Sequence, residues 1–253
     1  RQGLLVLGAD SPGAFEMRVG APCRVTTFGL GKTATWRATG VEAAPDGMTF
    51  AVEHRGDPVT EVRVPLVGEF NVRNVLAAFA VASEVGLDPT TMAASVARFE
   101  GVRRRLEVRG QERGVTVYDD FAHHPTAVRE TLAGVRASNP SRRIWALFEP
   151  RSATACRRVF QEEFVGAFSQ ADEVIIGRVY RSSLPEADRL SETDLVAGIG
   201  AAGVRARHLA EVGDIVRTVV DEARDGDLVV VMSNGAFGGI HDRSLKALAA
   251  PTR

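Results

Sequence analysis

Carboxylates and imidazoles crowd together in Tyr118-Asp119-Asp120-Phe121-Ala122-His123-His124-Pro125. At the end of a strand, such carboxylates can accept protons from ribose hydroxyls or help hold a metal ion, while the histidines can contact phosphate or orient a carboxylate. The plainer reading is that Asp119 or Asp120 caps a turn and that His123 and His124 are polar surface. Just upstream, Phe99-Glu100-Gly101-Val102-Arg103-Arg104-Arg105-Leu106-Glu107 carries three successive arginines. Guanidinium groups suit phosphate and planar stacking, although a charge run is ordinarily a solvated face. In Phe148-Glu149-Pro150-Arg151-Ser152-Ala153-Thr154, the residues Arg151, Ser152 and Thr154 offer donors to an acidic substrate, and Ser152 or Thr154 can cap a helix as well. Met232-Ser233-Asn234-Gly235-Ala236-Phe237-Gly238-Gly239 contains glycines that permit close backbone approach to a ligand.

Asn71 and Asn74, in Gly68-Glu69-Phe70-Asn71-Val72-Arg73-Asn74, lie three apart at the start of a helical pattern and share a face. Each amide offers donor and acceptor together, which is what reading an adenine edge requires. Capping would account for Asn71 but not for Asn74. Gly29-Leu30-Gly31-Lys32-Thr33 imitates a phosphate loop, but Thr26 stands where that motif needs a glycine and strand-like residues follow instead of a helix. A surface turn is the better account.

These groups need elements to position them. Strand-like segments at Leu4–Leu7, Arg24–Phe28, Thr35–Thr39, Met48–His54 and Thr60–Val64 are joined by short connections, which predicts mostly antiparallel pairing. Asp46-Gly47 is a hairpin signal. Helices are expected over Asn71–Val85 and Thr90–Arg98. Beyond Leu106 the rhythm changes. Strands at Val115–Tyr118, Ile144–Phe148, Glu173–Ile176, Val204–His208 and Leu228–Met232 alternate with helices at Pro125–Ala137, Thr154–Ser169, Glu192–Ala202, Val212–Ala223 and Asp242–Ala249. Such alternation predicts an α/β protein with a doubly wound, mostly parallel, Rossmann-like sheet in its second part. A strand-rich first part precedes it. The division falls near Arg98–Gly101, giving domains 1–98 and 99–253.

Composition limits the function classes. Lys and Arg total 31 against 32 Asp and Glu, a net charge of −1, so nothing in the balance points to nucleic acid. No apolar run is long enough for a membrane span. Cys23 and Cys156 have no metal-type spacing and read as free thiols, in keeping with a reducing cytoplasm. The chain opens at Arg1, directly before an apolar run, which reads as a fragment or a processed product.

Taken together, the run from Phe99 to Gly110 and the string from Val117 to Ala127 resemble the Mur ligase family, and the likeness extends over essentially the whole chain. Phe148-Glu149-Pro150-Arg151-Ser152 is similar to the branch that adds a tripeptide, whereas the L-alanine-adding branch usually reads Gln-Pro-His-Arg there. Ala153, where the tripeptide branch usually shows Asn, departs from the pattern. The resemblance implies the last part of a central ATPase domain followed by a complete C-terminal domain. It implies an ATP-dependent amide ligase of peptidoglycan biosynthesis and recycling, acting through an acyl-phosphate on UDP-N-acetylmuramate and L-alanyl-γ-D-glutamyl-meso-diaminopimelate. The alternatives are addition of L-alanine, or a non-catalytic module that binds nucleotide or peptide. By the same resemblance, Asn71 and Asn74 contact adenine, Arg105 lies near the nucleotide, and Asp120 contacts the ribose. His123, His124, Arg151, Ser152, Ser233 and Gly235 lie on the substrate side. The family's phosphate loop and the side chains that hold Mg2+ belong upstream, so no metal ligand and no certain catalytic residue is expected within this chain.

Overall fold

Ile144, Ala146 and Phe148 alternate with Trp145 and Leu147, and all five are fully buried. Successive side chains of a strand point to opposite faces, so this strand must be covered on both. The computed structural model, which describes residues 3–180 and 184–250, shows how. Arg1 lies outside the described residues. The chain separates into two compact units, Arg1–Gly101 and Val102–Arg253.

In the first unit, β1 (Leu4–Gly8), α1 (Pro12–Glu16), β2 (Arg24–Gly29), β3 (Trp36–Ala44), β4 (Gly47–His54) and β5 (Asp57–Val64) form a sheet in that strand order. α2 (Glu69–Glu84) and α3 (Pro89–Val96) follow. Val72, Leu76 and Phe79 of α2 meet Phe50, Val52 and Val64 in one core. The expectation of mostly antiparallel pairing is corrected. β3, β4 and β5 are antiparallel, but β1 pairs with β2 in parallel, and β2 meets β3 in parallel over Phe28↔Trp36 and Gly29↔Arg37. The stretch between β1 and β2 is long enough to carry α1 and reverse direction, which strand spacing did not reveal. β3 also runs further than expected. Gly40, at φ +58°, sits at the register shift between Thr39 and Glu42, and the strand continues beyond it.

The second unit contains β6 (Glu107–Glu112), β7 (Val115–Asp120), α4 (Pro125–Ser138), β8 (Ile144–Phe148), α5 (Gln161–Ala167), β9 (Glu173–Ile176), α6 (Glu192–Ala201), β10 (Arg205–His208), α7 (Val212–Glu222), β11 (Leu228–Met232) and α8 (Ile240–Ala249). Its sheet runs β10-β9-β8-β11-β7-β6, with β6 antiparallel and the remaining neighbours parallel. Ile144, Ala146, Phe148, Val230 and Met232 pack with Val128, Phe164 and Leu195 of α4, α5 and α6. Trp145, Leu147, Val229 and Val231 pack with Ile215, Val219, Ile240 and Leu248 of α7 and α8. The sheet is therefore doubly wound, as the alternation predicts.

The helix expected from Thr154 to Ser169 is shorter. A single turn spans Arg158–Phe160, and α5 begins at Gln161. Cys156 accepts from the Leu190 amide and Arg157 forms an isolated bridge with Arg189, so this backbone is committed to a neighbouring segment rather than to helical bonding. β7 extends through Asp119 and Asp120, two residues past its expected end.

Phe148 is fully buried and touches Phe164 and Phe168 at ring separations of 5.0 and 5.6 Å. Phe148→Ala is expected to destabilise the second unit by about 3–5 kcal/mol, measured by denaturant unfolding. A loss below about 1 kcal/mol would show that this aromatic cluster does not carry the core.

Candidate functional site

The strand order places the ends of three strands side by side. Met232 is in register with Asp120 on one side and with Phe148 on the other. The loops that follow β7, β11 and β8 therefore emerge together at the carboxyl edge of the sheet, where open α/β sheets bind ligands. Asp120, Ser233, Gly235 and Arg151 are gathered there.

Asp120 is only 2 % exposed, and its carboxylate accepts from the Leu106 amide (2.8 Å), the Ala122 amide (2.8 Å) and the Thr131 hydroxyl (3.3 Å). Burial raises its pKa, opposed by those hydrogen bonds and by Arg105. Its visible work is to bracket the arginine run from below. Asp119, 3 % exposed, faces Arg104 at 3.3 Å, Arg109 at 3.7 Å and His241 at 3.3 Å. Arg104 reaches further, and its Nη2 donates to the carbonyls of Ser233 (2.6 Å) and Gly235 (2.8 Å). Arg105 is exposed, with its guanidinium 5.6 Å from the Phe121 ring.

Across the mouth, the Ser233 hydroxyl donates to Glu149 at 2.5 Å and accepts from the Gly235 amide at 2.9 Å. Arg151 stacks over Tyr180 at 3.7 Å from the ring centroid and lies 3.6 Å from Glu149. Its other side rests on Gly235, where an added Cβ would stand 2.1 Å from Arg151 Nε. A side chain at 235 would therefore have to push the Arg151 guanidinium aside. Beside this clamp, Glu149, Arg178, Tyr180, Glu211, Gly213 and Arg243 line an open cleft of about 530 Å³.

Other expected residues serve the backbone. Ser152 Oγ accepts from the Ala155 amide at 2.9 Å, so it caps a turn. His124 is the N-cap of α4, its Nδ1 accepting from the Thr126 amide at 3.3 Å, and its ring meets Phe160 edge-on. His123 bonds the Phe121 carbonyl through Nδ1 at 2.8 Å.

In the first unit, α2 starts at an N-cap glycine, Gly68, so Asn71 is not the cap. Asn71 donates to the Val67 carbonyl at 2.9 Å and accepts from Asn74 at 3.4 Å, and Asn74 is exposed. The two amides share one face, as their spacing predicts. The false phosphate loop opens no helix. The amides of Leu30 and Gly31 donate to the Asp10 carboxylate at 2.8 and 3.0 Å, and Arg73 approaches the same carboxylate. An internal anion thus takes the amides that a phosphate would need.

Arg104, Asp119, Glu149, Tyr180 and His241 belong to the second unit's site but were not singled out individually as site residues. The arginine run and the Asp-Asp pair were signals for the first two; Tyr180 and His241 carry no local motif. Among the described residues no group of three or more His, Cys, Asp or Glu is arranged to hold a metal ion. Among them, too, no helix is long and apolar enough to cross a membrane.

Comparison with known proteins places this arrangement in a class. Residues 1–82 match the Mur ligase middle domain, and residues 104–235 match the Mur ligase, glutamate ligase domain. The chain belongs to the Mur ligase family. It is 39 % identical, over 87 % of its length and 46 % of the relative's, to the UDP-N-acetylmuramate–L-alanyl-γ-D-glutamyl-meso-2,6-diaminoheptandioate ligase of Escherichia coli K12. It is 33 % identical, over 98 % of its length and 53 % of the relative's, to the UDP-N-acetylmuramate–L-alanine ligase of Variovorax paradoxus. The crystal structure of a murein peptide ligase from Psychrobacter arcticus covers the whole chain with a TM-score of 0.69 at 28 % identity, the chain matching 52 % of it. The chain spans about half the length of these relatives.

His241 offers a test of the site's electrostatics. Its Nε2 lies 3.3 Å from Asp119 but makes no aligned hydrogen bond. Burial lowers its pKa; Asp119 opposes this, Arg109 and Arg104 reinforce it, and Asp242 opposes it. A histidine held below its unfolded value of about 6.5 favours folding above that pH and withdraws this support as pH falls. Denaturant unfolding between about pH 7.5 and about pH 5.5 should show His241→Gln losing less stability than the parent chain. Equal losses would mean that His241 does not contribute.

Proposed function

We propose that these residues are the acceptor-side and nucleotide-side part of an ATP-dependent amide ligase that joins UDP-N-acetylmuramate to L-alanyl-γ-D-glutamyl-meso-diaminopimelate in peptidoglycan recycling. The observation that carries the reading is the Arg151 clamp. A guanidinium fixed between an aromatic ring and a glycine, at the carboxyl edge of a doubly wound sheet, is suited to hold a carboxylate-rich peptide in one orientation. The 39 % identity to the Escherichia coli tripeptide ligase supports this choice of acceptor.

ATP supplies the phosphoryl group that turns the muramoyl carboxylate into an acyl-phosphate and leaves ADP; the acceptor amine then attacks the acyl carbonyl, forming the amide bond and expelling inorganic phosphate. This chain's residues bind and orient. Asn71 and Asn74 present the amide pair that suits an adenine edge, and Arg105 presents an exposed guanidinium to anionic or ribose groups. Asp120 acts by holding the backbone that carries Arg105. Arg151 and the loop through Ser233 and Gly235 orient the acceptor, with Ser152 fixing the turn that follows Arg151. His123 and His124 shape the chain between β7 and α4 at the same edge. L-alanine is the second reading, favoured by the Variovorax paradoxus ligase matching 98 % of the chain.

In the full-length protein, ATP-dependent amide formation is expected with the tripeptide in preference to L-alanine. Arg151→Ala should raise KM for the tripeptide about tenfold or more without comparable change in KM for ATP. This 253-residue chain by itself should form no product, because residues 29–33 are not a phosphate loop. Preference for L-alanine would overturn the assigned acceptor, and ligation by the isolated chain would overturn the division of labour.

A further inference from the structure

The arginine run has an internal division that its sequence does not show. Arg103 and Arg105 are exposed, whereas Arg104 is turned inward against the sheet edge. The backbone is bent to achieve this. Arg104 has φ +60° and Leu106 φ +48°, both left-handed, a conformation costly for side-chain-bearing residues and retained where surroundings over-determine it. Three hydrogen bonds do so here. The Arg104 amide donates to Glu107 at 2.8 Å, the Leu106 amide donates to Asp120 at 2.8 Å, and the Phe121 amide donates to the Arg104 carbonyl at 2.8 Å.

The guanidinium then makes two different attachments. Nε lies 3.3 Å from one Asp119 oxygen and 3.4 Å from the other, while Nη2 bonds the carbonyls of Ser233 and Gly235. A planar group with donors on separate edges can do this, and an ammonium on a flexible stem cannot reproduce it. Those two carbonyls flank Asn234 in the loop against which Arg151 rests.

We infer that Arg104 is a positioning residue that locks the loop Ser233–Gly235, and through it the Arg151 clamp, to the backbone turn that presents Arg105. Contacts to the two halves of the ligand set are thereby held in one fixed relation inside the second unit. Movement of either loop strains the other through a single side chain. This deepens the ligase reading and rests on it for its kinetic consequence, though not for its geometry.

The test uses the full-length protein with Arg104→Lys and Arg104→Gln. Arg109→Gln serves as the control, since Arg109 touches Asp119 but neither loop carbonyl. At temperatures well below melting, both Arg104 variants should lower kcat about tenfold or more, with Lys rescuing little despite its charge. Arg109→Gln should stay within about twofold of the parent. Adding Gly235→Ala to Arg104→Lys should be markedly less damaging than the product of the two single effects, because both act through one loop. Hydrogen exchange at Gly235 should accelerate in the Arg104 variants while exchange within β11 holds. Should either variant fail to fold, the other supplies the readout. Unchanged kcat together with unchanged Gly235 exchange would overturn the inference. If the parent protein ligates nothing, the ligase reading falls, and Gly235 exchange still decides whether Arg104 locks the loop.

Discussion

The second unit's site depends on two adjacent carboxylates buried at the end of one strand. Asp119 and Asp120 occupy the last two positions of β7 and point to opposite faces, as successive strand residues must. Charged groups are costly to bury unless their partners are supplied, and here the partners are what become ordered. Asp120 takes backbone amides from both sides of the mouth, Leu106 before it and Ala122 after it. Asp119 takes Arg104 and stands against His241. Removing Asp120 would release two backbone amides, and removing Asp119 would release the Arg104 guanidinium.

Topology explains why one strand end can organise so much. β11 enters the sheet between β7 and β8, so the loop after Met232 lies between the Asp-Asp end and the Phe148 end. Ser233 is bound into both neighbours, its amide donating to the Asp120 carbonyl and its hydroxyl to Glu149. Arg104 reaches the same loop from the arginine turn, and Arg151 rests on it from the other side. The ligand contacts proposed for the Mur ligase reading are assigned to the exposed Arg105 and the half-buried Arg151, whose neighbours Asp120 and Glu149 are buried.

Much of this was legible in the residues. The continuous apolar run Leu228–Met232 suits a strand covered on both faces, and the apolar spacing within Val212–Ala223 suits an amphipathic helix; a strand and a helix are found there, as expected. The Asn71–Asn74 pair shares a face because helical spacing leaves no alternative. What escaped depended on distant partners. The parallel pairing of β1 with β2 needed knowledge of where the intervening stretch returns. The shortened α5 follows from a bridge between Arg157 and Arg189. Asp119 and Asp120 do not look like strand residues, because their polarity is satisfied by groups brought from elsewhere. Arg104 bonds a carbonyl 129 residues further on, a relation no local pattern encodes.

The central claim is that Asp120 holds the arginine turn through backbone amides. Amide hydrogen exchange in Asp120→Asn tests it most directly. The account predicts that Leu106 and Ala122 are protected in the parent and that at least one of them exchanges far faster in the variant, because an amide nitrogen replaces one acceptor oxygen. Val230, inside the sheet, should keep its protection. Unaltered exchange at both Leu106 and Ala122 in a folded Asp120→Asn variant would contradict the account.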